Sequence, residues 1–388
     1  MLVKESIGDL ETLNSGSPMG NMYQSRVFYE AYKKIGWTPF TLEAMNEGKC
    51  VGGLLAYVPN YVPFLWQLTR TVFVYFGPIL MKEAGGIRCC QKAVSCQNLP
   101  LVQLIRSLDA KAKALKAARV EIRTPFEYPQ SCYAFERHGY RRNELEGEFS
   151  VKIDLRKSIE NLRSEMHRSC RKSIKKALRK GVEVREVESL RDLREFHWVY
   201  RETARRRNFF PYPFKFLEVL WKELKLEGRA QFFTAYYHDI PVAMRLNTLY
   251  NRKATTFVSG SLKEFWHLNA THFITWHSIL YNKEHTDATS FHLSYIPISG
   301  RLSEIDYLTF KSGFGGELVR ECAFYKKTLS PLRFHLIRTF GRYANNLLGH
   351  PAQKIRAANH EGLRRILVSS KWQACATKRQ ESKKENSQ

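Results

Sequence analysis

The stretch that decides the fold is residues 230–260, AQFFTAYYHDIPVAMRLNTLYNRKATTFVSG. It contains three runs rich in aromatic and β-branched side chains, which are the residues that favour strands. The runs are Ala230–Tyr237, Pro241–Leu249 and Ala254–Gly260. They are joined by His238–Asp239 and Asn251–Arg252, short polar pairs of the kind found in tight turns. The sequence therefore predicts an antiparallel meander of three strands.

Helical and strand patterns surround the meander in a regular order. Before it, we predict a helix from Ser158 to Lys180, a strand over Val182–Val187, a helix from Ser189 to about Arg206 and a helix over Phe214–Lys225. After it, we predict a helix over Leu268–Lys283, a strand over Ser290–Tyr295, a helix over Ser303–Lys311 and a strand over Glu317–Tyr325. From residue 182 onward, this order resembles that of the Gcn5-related N-acetyltransferase (GNAT) fold.

The first half of the chain shows a weaker version of the same order. Its predicted strands are Phe40–Met45, Val51–Val58, Thr71–Leu80, Val120–Arg123 and Glu148–Asp154, with helices near residues 25–34, 101–108 and 130–138. We therefore predict an α/β (α+β) protein with two tandem GNAT-like acyltransferase domains, residues 20–148 and 149–330. A basic helical extension at 331–375 and a disordered tail at 376–388 are expected to follow. The first twenty residues are rich in Gly, Ser and Asn, so we expect them to be loosely ordered.

The net charge of the chain indicates which kinds of partner it favours. The 388 residues contain 62 Lys and Arg but only 37 Asp and Glu, which gives a formal net charge of +25. Such a charge favours anionic partners, namely nucleic acid, phosphorylated substrates or an acidic membrane surface. It does not choose among the three.

The terminus and the cysteines indicate a reducing compartment. Lys4, Glu5 and Asp9 stand where a secretory leader would be basic and then apolar, so we expect a cytoplasmic protein. The eight cysteines include no CxxC pair, which predicts reduced packing thiols and no metal site. The uncharged stretch Val51–Thr69 contains Pro59 and Pro63, which favours strand, turn and strand over a membrane-spanning helix.

Five strings between residues 20 and 330 resemble the FemAB family, the aminoacyl-tRNA-dependent transferases that extend peptidoglycan stem peptides. They are Tyr23–Ser25, Val74–Ile79, Phe149–Leu155 followed by Arg171–Ala177 and Gly181–Val182, Glu202–Phe209, and Phe310–Gly316. Each string alone is a weak signal. Five in the family's order, on a matching order of helices and strands, make a fairly specific one.

The resemblance implies transfer of an activated aminoacyl group from charged tRNA to an amine of a lipid-linked or nucleotide-linked peptide. It implies no tightly bound cofactor, and chemistry in the cytoplasm, in peripheral contact with the inner face of an anionic membrane. The sequence departs from the family at three points. Phe291–Tyr295 replaces an Asp followed by glycines, Phe76 replaces a basic residue before Gly-Pro, and no coiled-coil arm is inserted in the second domain.

Lys311 is the first candidate for a catalytic residue. Aminolysis of an ester passes through an oxyanion, which a fixed positive charge stabilises. The glycines that follow, Gly313 and Gly315 among them, allow the backbone to approach a substrate closely. We therefore predict substrate contacts for both glycines and for Phe310, although core packing is the alternative for this phenylalanine. The alternative for Lys311 is a solvated lysine beside a turn.

Three further groups of residues are candidates for binding or catalysis. Arg206 and Arg207 end a helix, where they either clamp a substrate phosphate or stabilise the helix terminus. His292 occupies the strand on which the family often has Asp, and it is the candidate proton acceptor. Arg171, Lys172, Lys175 and Lys176 form a basic helix face that either binds an anionic partner or is simply solvated.

Two other functions remain open from the sequence. The first is an N-acyltransferase that uses acyl-CoA or another donor on a different amine. The Gln/Arg-x-x-Gly-x-Gly/Ala string that binds the CoA diphosphate is absent, which weighs against acetyl-CoA. The second is a non-catalytic basic protein that binds RNA or a membrane. The glycines around Lys311 argue against this second alternative.

Overall fold

The structure is a computed structural model that describes residues 2–4, 8–60, 70–81, 100–125, 131–207, 209–297 and 302–333. The first half of the chain contains β1 Leu2–Lys4, α1 Gly8–Gly16, α2 Arg26–Lys34, β2 Thr38–Asn46, β3 Lys49–Val58, β4 Thr71–Tyr75, β5 Ile79–Leu80, α3 Pro100–Ala114, β6 Arg119–Pro125, α4 Ser131–Arg137 and β7 Arg141–Asp154.

The second half contains α5 Ile159–Glu165, α6 Arg168–Arg179, β8 Glu183–Glu186, α7 Leu190–Arg207, α8 Phe214–Leu226, β9 Ala230–Tyr237, β10 Ile240–Tyr250, β11 Lys253–Ser261, α9 Ala270–His285, β12 Ser290–Pro297, α10 Leu302–Ser312 and β13 Glu317–Thr328. A 3-10 turn, Lys263–Leu268, connects β11 to α9. The meander predicted from residues 230–260 is confirmed as β9, β10 and β11. The order of elements from β8 to β13 is that of the GNAT fold, as predicted.

One mixed sheet joins the two halves. Its strand order is β1-β2-β3-β4-β6-β13-β7-β12-β11-β10-β9-β8, and β5 pairs with β3. The neighbours β4 and β6 are parallel, as are β11 and β12, whereas the remaining pairs are antiparallel. The last strand, β13, lies between β6 and β7 and pairs with both. Its position makes the sheet continuous between the two GNAT-like units.

Alternating side chains on the strands build cores on the two faces of this sheet. On β3, Leu55 and Tyr57 belong to one core, whereas Leu54 and Ala56 belong to another. The first of these cores takes side chains from α1 and α2 and also from α7 and α8. The partly buried Phe257 of β11 packs against it, with its ring centroid 5.3–5.8 Å from those of Tyr212, Phe28 and Tyr23. Both halves therefore share one core on this face.

The expectation that the first twenty residues are loosely ordered is wrong for α1. Leu10 is fully buried, and its backbone N–H donates to the carboxylate of Glu43 at 2.7 Å. The amide of Asn14 donates to the hydroxyl of Tyr250 in the second half, also at 2.7 Å. These contacts bury enough surface to order the segment, which the compositional rule cannot anticipate.

The single helix predicted from Ser158 to Lys180 is also wrong, because the structure has two helices there. Met166 is extended, with φ −68° and ψ 146°, and ends α5. The N–H of His167 then donates to the carbonyl of Gly313 at 2.9 Å before α6 begins. The predicted domain boundary at 148/149 lies inside the continuous strand β7. The predicted extension and tail lie almost wholly outside the described residues.

Within the described residues, no helix is long and apolar enough to cross a membrane.

Candidate active site

The strands β11 and β12 separate after a short parallel pairing. Their register covers three residue pairs, from Lys253 with Ser290 to Thr255 with His292. Beyond these pairs, β11 continues to Ser261 and β12 to Pro297 without a further ladder between them in the described residues. The opening bounded by residues 256–261 and 293–297 is called the β11/β12 gap below. Its strand edges carry backbone donors and acceptors that a ligand can use.

Arg206 and Trp266 lie at the β11 side of the gap. One guanidinium nitrogen of Arg206 donates to the carbonyl of Ser261 at 2.6 Å. The indole Nε1 of Trp266 donates to the hydroxyl of the same serine at 3.0 Å. The Arg206 guanidinium lies 4.9 Å from the Trp266 ring centroid, within cation–π range. Burial lowers the pKa of Arg206, and repulsion from Arg207 adds to this effect.

Lys311 lies at the β12 side of the gap. Its Nζ donates to the carbonyl of Ser294 and lies 5.7 Å from the ring centroid of Tyr307. The guanidinium of Arg207 lies 4.8 Å from the same ring centroid. Tyr307 thus brings together the two cations that the sequence singled out. Two positive charges beside one aromatic ring favour an anionic ligand, such as a phosphate or a developing oxyanion.

Sequence reasoning missed the two aromatic residues of this site, Tyr307 and Trp266. One signal was available for Tyr307, because it precedes Lys311 by four residues, which is one helical turn. For Trp266, no spacing rule connects it to Arg206. Their contact arises only because the 3-10 turn after β11 returns to the end of α7.

The glycines after Lys311 approach the protein's own chain. A Cβ on Gly315 would lie 3.0 Å from the Cβ of Glu165, and one on Gly313 would lie 3.1 Å from the carbonyl of Phe310. Gly315 also has φ +80°, which favours glycine. Internal packing therefore explains both glycines, and their predicted contact with substrate stays a prediction.

Phe310 belongs to the core behind the sheet. Its ring centroid lies 5.4 Å from that of Phe314 and 4.9 Å from that of His272. This arrangement favours the packing alternative for Phe310 over a substrate contact. The imidazole of His272, which the sequence did not single out, is therefore a partly buried neighbour of Phe310.

His292 lies at the paired end of β12, in a hydrogen-bonded network. It is 5% exposed, and its Nδ1 lies 2.5 Å from a carboxylate oxygen of Glu321. The other ring nitrogen lies 3.1 Å from the hydroxyl of Ser290. Lys253 lies 2.5 Å from the second carboxylate oxygen of Glu321. These bonds join β11, β12 and β13.

The pKa values of His292 and Glu321 are both lowered, which favours a neutral imidazole beside an ionised carboxylate. Burial lowers the pKa of His292 and outweighs the opposing effect of the Glu321 carboxylate. Burial alone would raise the pKa of Glu321, but the hydrogen bond from His292 and the charge of Lys253 bring it well below its usual range. An ionised Glu321 holding a neutral His292 is a strand-joining arrangement. The role of His292 as proton acceptor stays a prediction.

The basic residues of α6 divide into two groups. Arg171 donates from one guanidinium nitrogen to carbonyl oxygens at the end of α5, at 3.1 and 3.2 Å for two of them. It therefore has a structural task at a helix terminus. Lys172, Lys175 and Lys176 are exposed and lie on one side of the helix, away from its buried face. These three lysines form the exposed part of the basic face that the sequence predicts.

Comparisons with known proteins agree with this architecture. A family model described as an acetyltransferase (GNAT) domain matches residues 164–295. The crystal structure of FemX is similar at 14% sequence identity, covering 87% of this chain and all of FemX, with a TM-score of 0.68. A tandem GNAT protein from the clavulanic acid biosynthesis pathway is similar at 10% identity, covering 85% of this chain and 99% of its own, with a TM-score of 0.56.

A conserved protein of unknown function from Bacteroides thetaiotaomicron VPI-5482 also has this fold. It shares 9% identity and covers 83% of this chain and 96% of its own, with a TM-score of 0.53. No curated protein sequence matches the chain. At such identities, the structural comparisons concern the fold.

The fold and the matched acetyltransferase domain together define the class of this protein. It is an acyltransferase built from tandem GNAT-like units. The similarity to the FemAB family, to which FemX belongs, is confirmed at the level of the fold.

Proposed function

We propose that this acyltransferase moves an aminoacyl group from charged tRNA onto an amine of a lipid-linked or nucleotide-linked peptide. One observation carries the proposal. Arg207 and Lys311 lie against the same ring, that of Tyr307, at the gap between β11 and β12. A reaction between two anionic substrates needs such a cationic centre beside an accessible strand edge.

The chemistry required of these residues is modest. The amine nitrogen attacks the ester carbonyl carbon, and a tetrahedral oxyanion forms. The bond from that carbon to the ribose oxygen then breaks, and a proton passes from the attacking nitrogen to the leaving oxygen. In this proposal, the ammonium of Lys311 stabilises the oxyanion, and Arg207 holds a phosphate of the acceptor. Positioning of the two substrates supplies much of the remaining rate enhancement.

The second candidate is an N-acyltransferase that takes its acyl group from CoA. The GNAT order of elements favours this candidate. The match to a family model described as an acetyltransferase domain also favours it. The 3-10 turn Lys263–Leu268 weighs against it, since this segment before α9 contains no glycine to wrap a diphosphate. A non-catalytic RNA-binding or membrane-binding role is the third candidate. Location in the cytoplasm, with contact to an anionic membrane, stays a prediction from the resemblance.

A transfer assay tests the proposal. Purified protein is supplied with radiolabelled aminoacyl-tRNAs and with lipid-linked or nucleotide-linked peptide acceptors. Lys311→Ala is expected to lower kcat by about a hundredfold or more, because the charge acts mainly in the transition state. Lys222→Ala removes an exposed lysine that pairs with Glu218 on α8, and this control is expected to leave the rate unchanged.

The outcomes separate the three candidates. Label that moves from tRNA with wild type but not with Lys311→Ala supports the proposal. Transfer from acyl-CoA alone would replace it with the second candidate. Binding of RNA or vesicles without transfer from any donor would contradict an enzymatic function.

A further inference from the structure

Trp266 is a half-exposed aromatic side chain at the rim of the β11/β12 gap. Its side chain is 47% exposed, although an indole of this size is usually well buried. The Nε1–H bond to the Ser261 hydroxyl fixes one edge of the ring, and the Arg206 guanidinium covers part of its surface. The ring is therefore held in place while about half of it faces solvent.

The surroundings of this ring are basic. Lys263 and His267, in the same 3-10 turn, are both exposed. Arg206 and Arg207 lie on the adjoining end of α7. An aromatic surface beside arginine and lysine side chains suits an unpaired nucleotide, since the base stacks on the ring and the cations bind the phosphates.

We propose that the open surface of Trp266 is the platform on which the terminal adenine of the acyl donor stacks. This inference rests on the proposed function, because it assigns a binding residue for the donor of that reaction. Adenine is common to the two candidate donors, the 3′ end of charged tRNA and CoA. The proposal therefore specifies that the ligand presents an adenine, whichever of the two donors carries it.

The position of the platform favours the 3′ end of RNA. In charged tRNA, the acyl ester is attached to the ribose that carries the terminal adenine, so base and reacting carbonyl lie close together. In acyl-CoA, the diphosphate and the whole pantetheine arm separate them. Trp266 contacts Arg206, and the next residue, Arg207, shares the Tyr307 ring with Lys311. This short series of contacts connects the platform to the catalytic lysine.

Binding of an uncharged RNA hairpin with an unpaired CCA 3′ end tests the platform without any transfer step. Fluorescence anisotropy gives Kd for wild type, Trp266→Ala, Trp266→Phe and Trp198→Ala. Trp198 is the matched control, because it is 45% exposed and lies on α7 two turns before Arg206. We expect Trp266→Ala to weaken binding about tenfold or more, Trp266→Phe to recover most of the loss, and Trp198→Ala to have no effect.

A second RNA tests whether Trp266 contacts the terminal base of the hairpin. Replacing the terminal adenosine with an abasic residue is expected to weaken binding to wild type and to remove the difference between wild type and Trp266→Ala. Equal affinity of these two proteins for the CCA hairpin and also for CoA would overturn the proposal, even where charged tRNA is a working donor. A loss of affinity for CoA alone would keep the adenine platform and reassign the donor. Binding of neither RNA nor CoA by wild type would overturn the platform.

Discussion

His272 is a partly buried titratable side chain beside Phe310, the residue that precedes Lys311. Its ring packs against Phe310 and Phe314, and its Nδ1 has no hydrogen-bond partner among the described residues. Burial lowers the pKa of this imidazole to about 4, so the ring is neutral at pH 7. A residue that resists protonation in the folded state makes stability depend on pH.

We predict that the free energy of unfolding decreases as the pH falls from about 6.5 to about 4. Across this window, the unfolded chain gains a proton on His272 that the folded chain does not, so protonation favours unfolding. His272→Phe removes this contribution, which amounts to about 3 kcal/mol at most. Urea unfolding at pH 7 and pH 4.5 measures it, with His267→Phe at an exposed position as the control. Identical pH dependence in wild type and His272→Phe would contradict the prediction.

At the scale of single residues, the sequence identifies charged candidates for the site more readily than it identifies which residues contact each other. Lys311 and Arg207 could be selected because they stand in strings that resemble a family. Their common neighbour Tyr307 could not, since Arg207 lies a hundred residues earlier in the chain. Similarly, His292 could be proposed as a proton acceptor, but its bond to Glu321 depends on which strands pair.

At the scale of elements, the turn between α10 and β13 depends on glycine for a backbone reason. Gly316 has φ +85°, and a Cβ there would overlap the backbone carbonyl of Lys152 on β7. The turn lies between Lys311 and the strand that joins the two halves. Its geometry therefore affects both the site and the sheet.

We predict that Gly316→Ala lowers the free energy of unfolding by about 3 kcal/mol or more, because it adds both backbone strain and a clash. Gly228→Ala is the matched control. It has φ +66° but no neighbour within 4 Å of a Cβ, so its expected cost is about 1 kcal/mol. Urea unfolding of both variants gives the comparison, and equal losses would show that the clash with β7 is absent.

Elements that depend on local pattern could be predicted, and those that depend on distant contacts could not. The meander and the helices around it follow from periodicity and turn residues. The break between α5 and α6 does not, because residues 158–180 keep a helical pattern throughout. It is explained by the bond from His167 to Gly313, which lies well over a hundred residues further on.

At the scale of the whole molecule, the two halves share one sheet and one core. β13 pairs with β6 in seven register positions and with β7 along much of its length. The shared core against which Phe257 packs takes residues from both halves. Such a structure should open as one cooperative unit.

We predict that the slowest-exchanging amides of β2 and β3 and those of β9 and β10 report the same opening free energy, within about 1 kcal/mol. Hydrogen exchange at increasing urea, followed by mass spectrometry of peptides from the two regions, measures both values. Loss of protection in one half at a distinctly lower urea concentration would mean that the units unfold separately.

The order of elements in each half could be predicted, but the sheet that joins them could not. Periodicity identifies a strand and the side chains on each face. It does not identify a partner more than two hundred residues away, as Lys327 of β13 is from Val120 of β6. The predicted boundary between residues 148 and 149 lies inside β7 and stays a prediction.

The central position of β13 has a consequence for synthesis on the ribosome. The edges of β6 and β7 that this strand finally occupies are translated first, and about 160 residues separate the end of β7 from the start of β13. At ordinary elongation rates, roughly 10 to 30 seconds pass before the missing strand is made. During that time, the nascent chain exposes strand edges that can pair with other nascent chains on the same message. Expression yield should therefore depend on how fast residues 155–316 are translated and on chaperones that protect the growing chain.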